Sequence, residues 1–293
     1  MADTQHIIAL PGRALLRLEG PEAKGFLNGL VSNNVTKAAP DHALYAALLT
    51  PQGKFLADMF IQEHAGMLWL DVAENRLEDL AKRLKLYRLR AKVEIAAQPG
   101  WRAYALIGPG AAQSLDLPEQ AGAAGALNGG FACIDPRLAA LGARLWLPES
   151  ESPNLGIPAD FAAYEALRLR LGVPDGSRDI EIDKGLLLEN HFEALQGVDF
   201  AKGCYVGQEV TARTKYRGLV KKQLYHVQAT ADLPPTGSSI SQDGSDAGIL
   251  LSHDGRQGLA LLRNELVAKA NAGGAPLLAE GIALQATLPD YAV

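Results

Sequence analysis

The stretch KGCYVGQEV, residues 202–210, places an amine, a thiol, an amide and a carboxylate close together in the chain. Cys204, one of only two cysteines, stands between Gly203 and Gly207, with Lys202 before it and Gln208 and Glu209 after it. The glycines allow unusual backbone angles and close approach. The run GQEVTAR reads as the start of a short helix with Glu209 in its first turn. Cys204 then lies just ahead of a helix N-terminus and near Lys202, and both features favour a thiolate. A small inert cysteine in the core is the competing reading. Residue types and spacing leave the two open.

Other chemistry is more dispersed. Histidines 6, 42, 64, 191, 226 and 253 show no HExxH or other paired spacing, and Cys133 and Cys204 form no CxxC, so no metal site is read from the sequence. Cys133 has no motif around it and is assigned no role. Asp58 follows the Pro51–Gln52–Gly53 turn on a mostly apolar strand, where an acid needs a partner or a function. Glu165 and Glu189 sit on or beside helical segments, and no pair of carboxylates announces general acid–base catalysis. Two basic runs, KRLKLYRLRAK (82–92) and RTKYRGLVKK (213–222), are either solvated faces or patches that attract an anionic ligand, such as a polyanionic small molecule or a tRNA-like partner.

The elements that must position these groups suggest an α+β protein. IIAL and RALLRLEG read as strands around Pro11–Gly12, and Pro21 opens a helix through PEAKGFLNGLVSN. ALYAALLT and KFLADMFIQE flank a hairpin turn, and MLWLDVA adds a strand. From Glu74 to about Leu89, Leu77, Leu80, Leu84 and Tyr87 recur at helical spacing. AKVEIAA and RAYALIG follow as strands, and a strand–strand–helix–strand order fits α+β layers. Residues 109–130, with GAAGALNGG, read as a surface loop. LPESESPNLGIP (147–158) reads as a linker and PADFAAYEALRLRLGVP as a helix ended by Gly172 and Pro174. Short strands separated by PPTG, QDGSD and HDGRQG after residue 220 suggest a small β-barrel.

Composition bounds the rest. The 293 residues are 48% hydrophobic, enough for two or three globular parts, and a net charge of −5 argues against wholesale binding to nucleic acid or anionic membrane. Two cysteines point to reduced thiols rather than a disulfide framework. Arg13, Arg17 and Glu19 interrupt the first apolar run, so neither a signal peptide nor a spanning helix is read, and the expectation is a cytoplasmic protein without membrane association.

With these residues in view, Lys202–Gly203–Cys204–Tyr205–x–Gly207–Gln208–Glu209–x–x–x–Arg213 resembles the signature of the YgfZ-type folate-binding proteins, which help maintain iron–sulfur clusters and are related to the glycine cleavage T-protein, an aminomethyltransferase. FLNGLVSNNV, LLTPQGKFLADMFI, RLKLYRLRAKVEI, YEALRLRLGVPDG and RGLVKKQLY extend the resemblance over nearly the whole chain. It implies a three-part cloverleaf around a funnel that admits tetrahydrofolate. The parts would be a discontinuous folate-binding unit (1–50 plus 150–222), a ferredoxin-like α+β unit (51–149) and a C-terminal β-barrel (223–293). Asp58, Tyr164, Glu165 and Glu189 would face folate, Glu189 matching an acid that in T-proteins contacts the pterin ring. The basic runs would meet the glutamate tail of folate. T-proteins carry adjacent aspartates where this chain has Ala57–Asp58, and they lack the signature cysteine, so the match favours the iron–sulfur branch.

The resulting expectation is a tetrahydrofolate-binding protein that supports assembly or repair of iron–sulfur clusters in client enzymes, including those that modify tRNA. Cys204 would be the reactive thiolate, tuned by Lys202 and the following helix, with Gln208 and Glu209 orienting the loop and Arg213 holding an acid or anionic ligand. A single thiol cannot hold a stable cluster alone, so any cluster contact would be transient or shared between chains, with client or assembly proteins as partners and no stable nucleic-acid complex. One alternative is a folate-dependent aminomethyl- or methyltransferase using Asp58, with Cys204 as filler. Another is an RNA- or protein-binding module working through the basic patches.

Overall fold

A computed structural model describes residues 4–218 and 220–293. Met1–Asp3, at the start of the segment read for a leader, and Leu219, within RGLVKKQLY, lie outside the described residues. The strands expected around Pro11–Gly12 form as β1 (His6–Ala9) and β2 (Arg13–Glu19), but they enter different sheets rather than a hairpin.

The first sheet has five strands in the order β3-β4-β5-β2-β6, with β3 at Leu44–Leu49, β4 at Phe55–His64, β5 at Met67–Ala73 and β6 at Glu94–Gln98. Every residue of β3 and the first eight of β4 are buried, as both faces of the sheet are covered. On one face, Leu48, Met59, Ile61 and Leu70 meet Leu27 near the end of helix α1 (Ala23–Asn28) and Leu80 and Leu84 of helix α2 (Leu77–Arg88). On the other, Tyr45, Phe55 and Phe60 pack on Ile180, Leu187 and Phe192. The α2 pattern read from the sequence thus buries Leu80 and Leu84, while Tyr87 turns outward. β3 and β4 pair directly across residue 50, where the resemblance placed a domain boundary.

The second sheet contains β7 (Trp101–Ile107), β8 (Ala124–Leu127), β9 (Gly130–Ile134), β10 (Ala143–Pro148) and β11 (Ile157–Pro158), in the order β11-β1-β7-β10-β9-β8. Part of the expected surface loop at 109–130 is therefore strand. Asn128 and Gly129 close a two-residue hairpin in which Leu127 faces Gly130, with Gly129 at φ 81°, the geometry that an Asn-Gly turn supports. The short Ala- and Gly-rich run hid that signal. At the end of the expected linker, β11 pairs in parallel with β1 and leads into helix α3 (Phe161–Arg170).

Helix α4 (Gln208–Tyr216) precedes the last unit. There β12 (Lys222–Ala229), β13 (Ser239–Gln242), β14 (Ser245–Asp254), β15 (Gln257–Arg263), β16 (Leu277–Ala279) and β17 (Ile282–Thr287) close a barrel in the order β12-β15-β14-β13-β16-β17. Helix α5 (Asn264–Asn271) adds Val267 to its core. Closure removes the exposed edges that six short strands would otherwise present.

Candidate functional site

Cys204 is exposed, whereas Cys133 on β9 is buried. Burial pushes the Cys133 thiol well above its ordinary range, so one of the two cysteines is presented to solvent and the other is packing. The loop carrying Cys204 is held at several points. Val206 packs against the cluster under α1 and α2, while Tyr205 packs against the cluster on the opposite face of the same sheet. At Gly203 a side chain would meet no atom within 4 Å, so the loop projects outward beside the thiol.

Gly207 caps α4 with φ 82°. A Cβ there would fall 2.4 Å from the Thr50 carbonyl oxygen, and one at Gly53 would fall 2.8 Å from Val210 Cβ. The turn of the β3–β4 hairpin and the start of α4 therefore touch backbone to backbone, which explains why both sequence motifs need glycine. Gln208 orients the loop, its Oε1 accepting a hydrogen bond from the Tyr205 amide at 3.3 Å.

Lys202 departs from the role expected for it. Its Nζ donates to the carbonyls of Asn28 (2.7 Å), Val31 (2.6 Å) and Asn33 (2.7 Å), and it lies 4.9 Å from the centre of the Tyr205 ring. All three ammonium hydrogens are used on the turn after α1. Lys202 thus anchors the loop instead of pairing with the thiol. Burial holds the amine down to about 8. Glu209, in the first turn of α4, and Arg213 one turn on are exposed, and neither side chain has a hydrogen-bond or ion-pair partner among the described residues. Arg213 is thus free to meet an anion, and Glu209 to interact with whatever approaches the loop.

The residues expected to face folate separate into two places. Asp58 is buried on β4, accepts a hydrogen bond from Tyr45 Oη at 2.9 Å, and lies so close to Gly176 that a Cβ there would be 2.4 Å from its carboxylate. Burial raises its carboxyl above the usual range, opposed by Arg13. Tyr164 is buried, its oxygen 3.0 Å from Arg137 Nη2, and Glu165 is clamped by Arg168 (3.0 Å) and Arg178 (2.8 Å). Burial works to raise the Glu165 carboxyl, but these two guanidinium groups bring it below its ordinary value. The space bounded by Asp58, Phe60, Arg137 and Tyr164 has a volume of about 40 Å³, whereas pockets for small organic ligands run roughly 300–1,000 Å³. It is too small for a pterin.

Glu189 lies elsewhere. It lines a cleft of about 470 Å³ between residues 177–190 and the barrel, with Arg178 and Lys184 at its side and Ile249 and Leu251 opposite. Burial raises its carboxyl, opposed by Lys54 and Lys222.

Sequence reasoning missed the charges at the heart of the molecule. Asp71 on β5 accepts from Arg13 Nε at 2.6 Å and from Arg144 Nε at 3.0 Å. Asp135 pairs with Arg137 at 2.8 Å, and the Arg144 guanidinium lies 3.8 Å from the centre of the Phe60 ring. The Asp71–Arg144 pair ties the two sheets together through β5 and β10. A charge inside an apolar run was the available signal, in MLWLDVA and ARLWLP as much as in FLADMFI. Among the described residues no group of three or more His, Cys, Asp or Glu is arranged to hold a metal ion, and no helix is long and apolar enough to cross a membrane.

The family description "CAF17, C-terminal beta-barrel domain" matches residues 221–293. Over 96% of its length the chain is 36% identical to the human protein named "Iron-sulfur cluster assembly factor IBA57, mitochondrial", covering 84% of that protein. The mouse protein of the same name is 34% identical, over 88% of this chain and 77% of its own. The structure is similar to the crystal structure of glycine cleavage system aminomethyltransferase T from Bartonella henselae, with a TM-score of 0.81 at 15% identity, covering 99% of this chain and 87% of that one, a likeness of fold. The expectation of a cytoplasmic protein is overturned by these relatives, which carry mitochondrial names. A low cysteine count reports a reducing compartment and not its address.

Proposed function

The chain belongs to the IBA57-type family of iron–sulfur cluster assembly factors, on the T-protein fold, and from that premise we propose that Cys204 supplies one thiolate ligand to a cluster whose remaining ligands come from a second protein. The observation that carries this reading is the exposed Cys204 thiol on a loop pinned by Lys202 and Gly207. Cys204 loses its proton to solvent and its sulfur replaces one ligand on an iron of the incoming cluster, the displaced ligand leaving with the carrier. One thiol cannot complete four ligands, so the contact is shared and reversible, which suits transfer toward client enzymes, tRNA-modifying ones included. Gln208 fixes the loop, and Glu209 and Arg213 select the approaching surface.

Tetrahydrofolate is assigned to the cleft at Glu189. Its volume suits a ligand of that size. A carboxyl with a raised pKa can accept from, or donate to, the pterin edge, and Lys54 and Lys222, near enough to act on Glu189, provide cations for the glutamate tail. Asp58, Tyr164 and Glu165 then serve as framework, and the sealing of Asp58 by Tyr45 and Gly176 weighs against a transferase built on it.

Anaerobic titration with a glutathione-ligated 2Fe–2S complex tests the thiol. Wild type and Cys133→Ser should develop visible charge-transfer bands that Cys204→Ser lacks; identical spectra for Cys204→Ser would sink the reading. Tetrahydrofolate titration of Glu189→Gln should show affinity lowered roughly 10-fold or more, as loss of a charged hydrogen bond implies.

A further inference from the structure

The C-terminal end of α2 carries a surface that the reading above does not use. Leu86, Tyr87 and Leu89 are 69%, 42% and 87% exposed. Leu89 also caps the helix at φ 43°, a conformation in which glycine is favoured and a leucine is strained. A leucine that is 87% exposed buries little of its own surface in the fold, and apolar side chains exposed together among cations have the composition of an interaction surface. Around these side chains stand Lys82, Lys85 and Arg90, exposed and without side-chain partners among the described residues. The run from 82 to 92 contains no acid, in a chain whose net charge is −5.

This surface and Cys204 lie at opposite ends of α1. The Lys92 amide, just past the end of α2, donates to Glu22 Oε2 at the start of α1, while Lys202 binds the Asn28 and Val31 carbonyls at its end. Six helical residues span about 9 Å. A standard protein interface buries roughly 800 Å² on each partner, broader than the span of α1 between these two anchoring points.

We propose that the end of α2 is the docking surface for an acidic protein, the same partner whose cluster Cys204 completes. Two leucines beside one tyrosine favour a protein over RNA, because leucine offers no ring on which a base can stack. The cations speed encounter and fix register, and the apolar side chains hold the complex. The docking half stands on the α2 surface itself; its link to a cluster rests on the reading of Cys204.

The test uses the full chain carrying Tyr87→p-benzoylphenylalanine, cross-linked in the cells that make it, with the photoprobe at Ile157 as control, since that residue is also exposed. The cross-linked protein is then purified and titrated against the chain. An acidic protein captured from position 87 alone is the expected result. Its binding should weaken about tenfold or more in Leu86→Ala/Leu89→Ala. Lys85→Glu/Arg90→Glu should weaken it further and flatten its salt dependence. Cys204→Ser should remove the cluster bands; if the bands persist, the Cys204 reading fails and the docking surface stands. A nuclease-sensitive adduct, no adduct at position 87, or binding indifferent to the α2 variants overturns the proposal, whatever Cys204 does.

Discussion

Replacing Lys202 with methionine keeps the aliphatic stem and removes the ammonium, so it separates an anchor from a tuner of the thiol. Three carbonyls lose their donor, those of Asn28, Val31 and Asn33. Hydrogen bonds from a charged donor contribute roughly 1.5–3 kcal/mol each. Removing the buried amine recovers its dehydration cost, and water can reach part of the gap, so the net loss should be about 2–4 kcal/mol. The folded-state value of about 8 lies below the ordinary lysine value of 10.5. The unfolded chain therefore holds the extra proton between these limits, and Lys202 makes stability rise with pH across the window. Urea titrations at pH 7.5 and 9.5, with iodoacetamide alkylation of Cys204 in parallel, measure both effects. The variant should unfold at lower urea, its deficit should widen at the higher pH, and its Cys204, already exposed and not paired with Lys202, should alkylate at a nearly unchanged rate. A stability change under about 0.5 kcal/mol would refute the anchor, and a deficit that narrows with pH would show that the carbonyls hold the proton more firmly than burial expels it.

Gly207→Ala should cost about 2–4 kcal/mol, from the positive φ and the overlap with the Thr50 carbonyl, and hydrogen exchange should show the hairpin turn and the start of α4 loosening together. Asp71→Asn should cost about 3–5 kcal/mol because it strands two arginines, whereas Asp58→Asn should be neutral or stabilising at pH 7, since burial already disfavours its charge; thermal unfolding of both variants checks the contrast. Burial acts to raise the Asp71 carboxyl, but Arg13 and Arg144 outweigh it and hold the group below the usual value. Its stabilisation is therefore complete above the ordinary carboxylate value of 3.8 and is lost as pH falls through the lower folded value, a dependence that Asp71→Asn should abolish. In the native protein at pH 8, maleimide should label Cys204 and leave Cys133 unmodified until denaturant is added; equal labelling would contradict the burial of β9.

Local pattern carried much of the architecture. Apolar periodicity located β3, β4, β5 and α2, the spacing of turns after residue 220 indicated a barrel, and GQEVTAR read as a helix became α4. These are properties of neighbours along the chain, which is why a sequence can show them. The position of Cys204 ahead of a helix was legible for the same reason.

What Lys202 touches was not, because its three acceptors are about 170 residues away and only folding brings them within reach. β1 and β2 were visible as strands, yet nothing in the Pro11–Gly12 turn could assign them to separate sheets. Asp58, Tyr164, Glu165 and Glu189 were grouped by a resemblance in order along the chain. Tertiary structure placed three among buried arginines and one in an open cleft, since burial and the charge of distant strands decide whether a carboxylate is framework or contact. The types of the reactive groups belong to the sequence; their partners and their access to solvent belong to the fold.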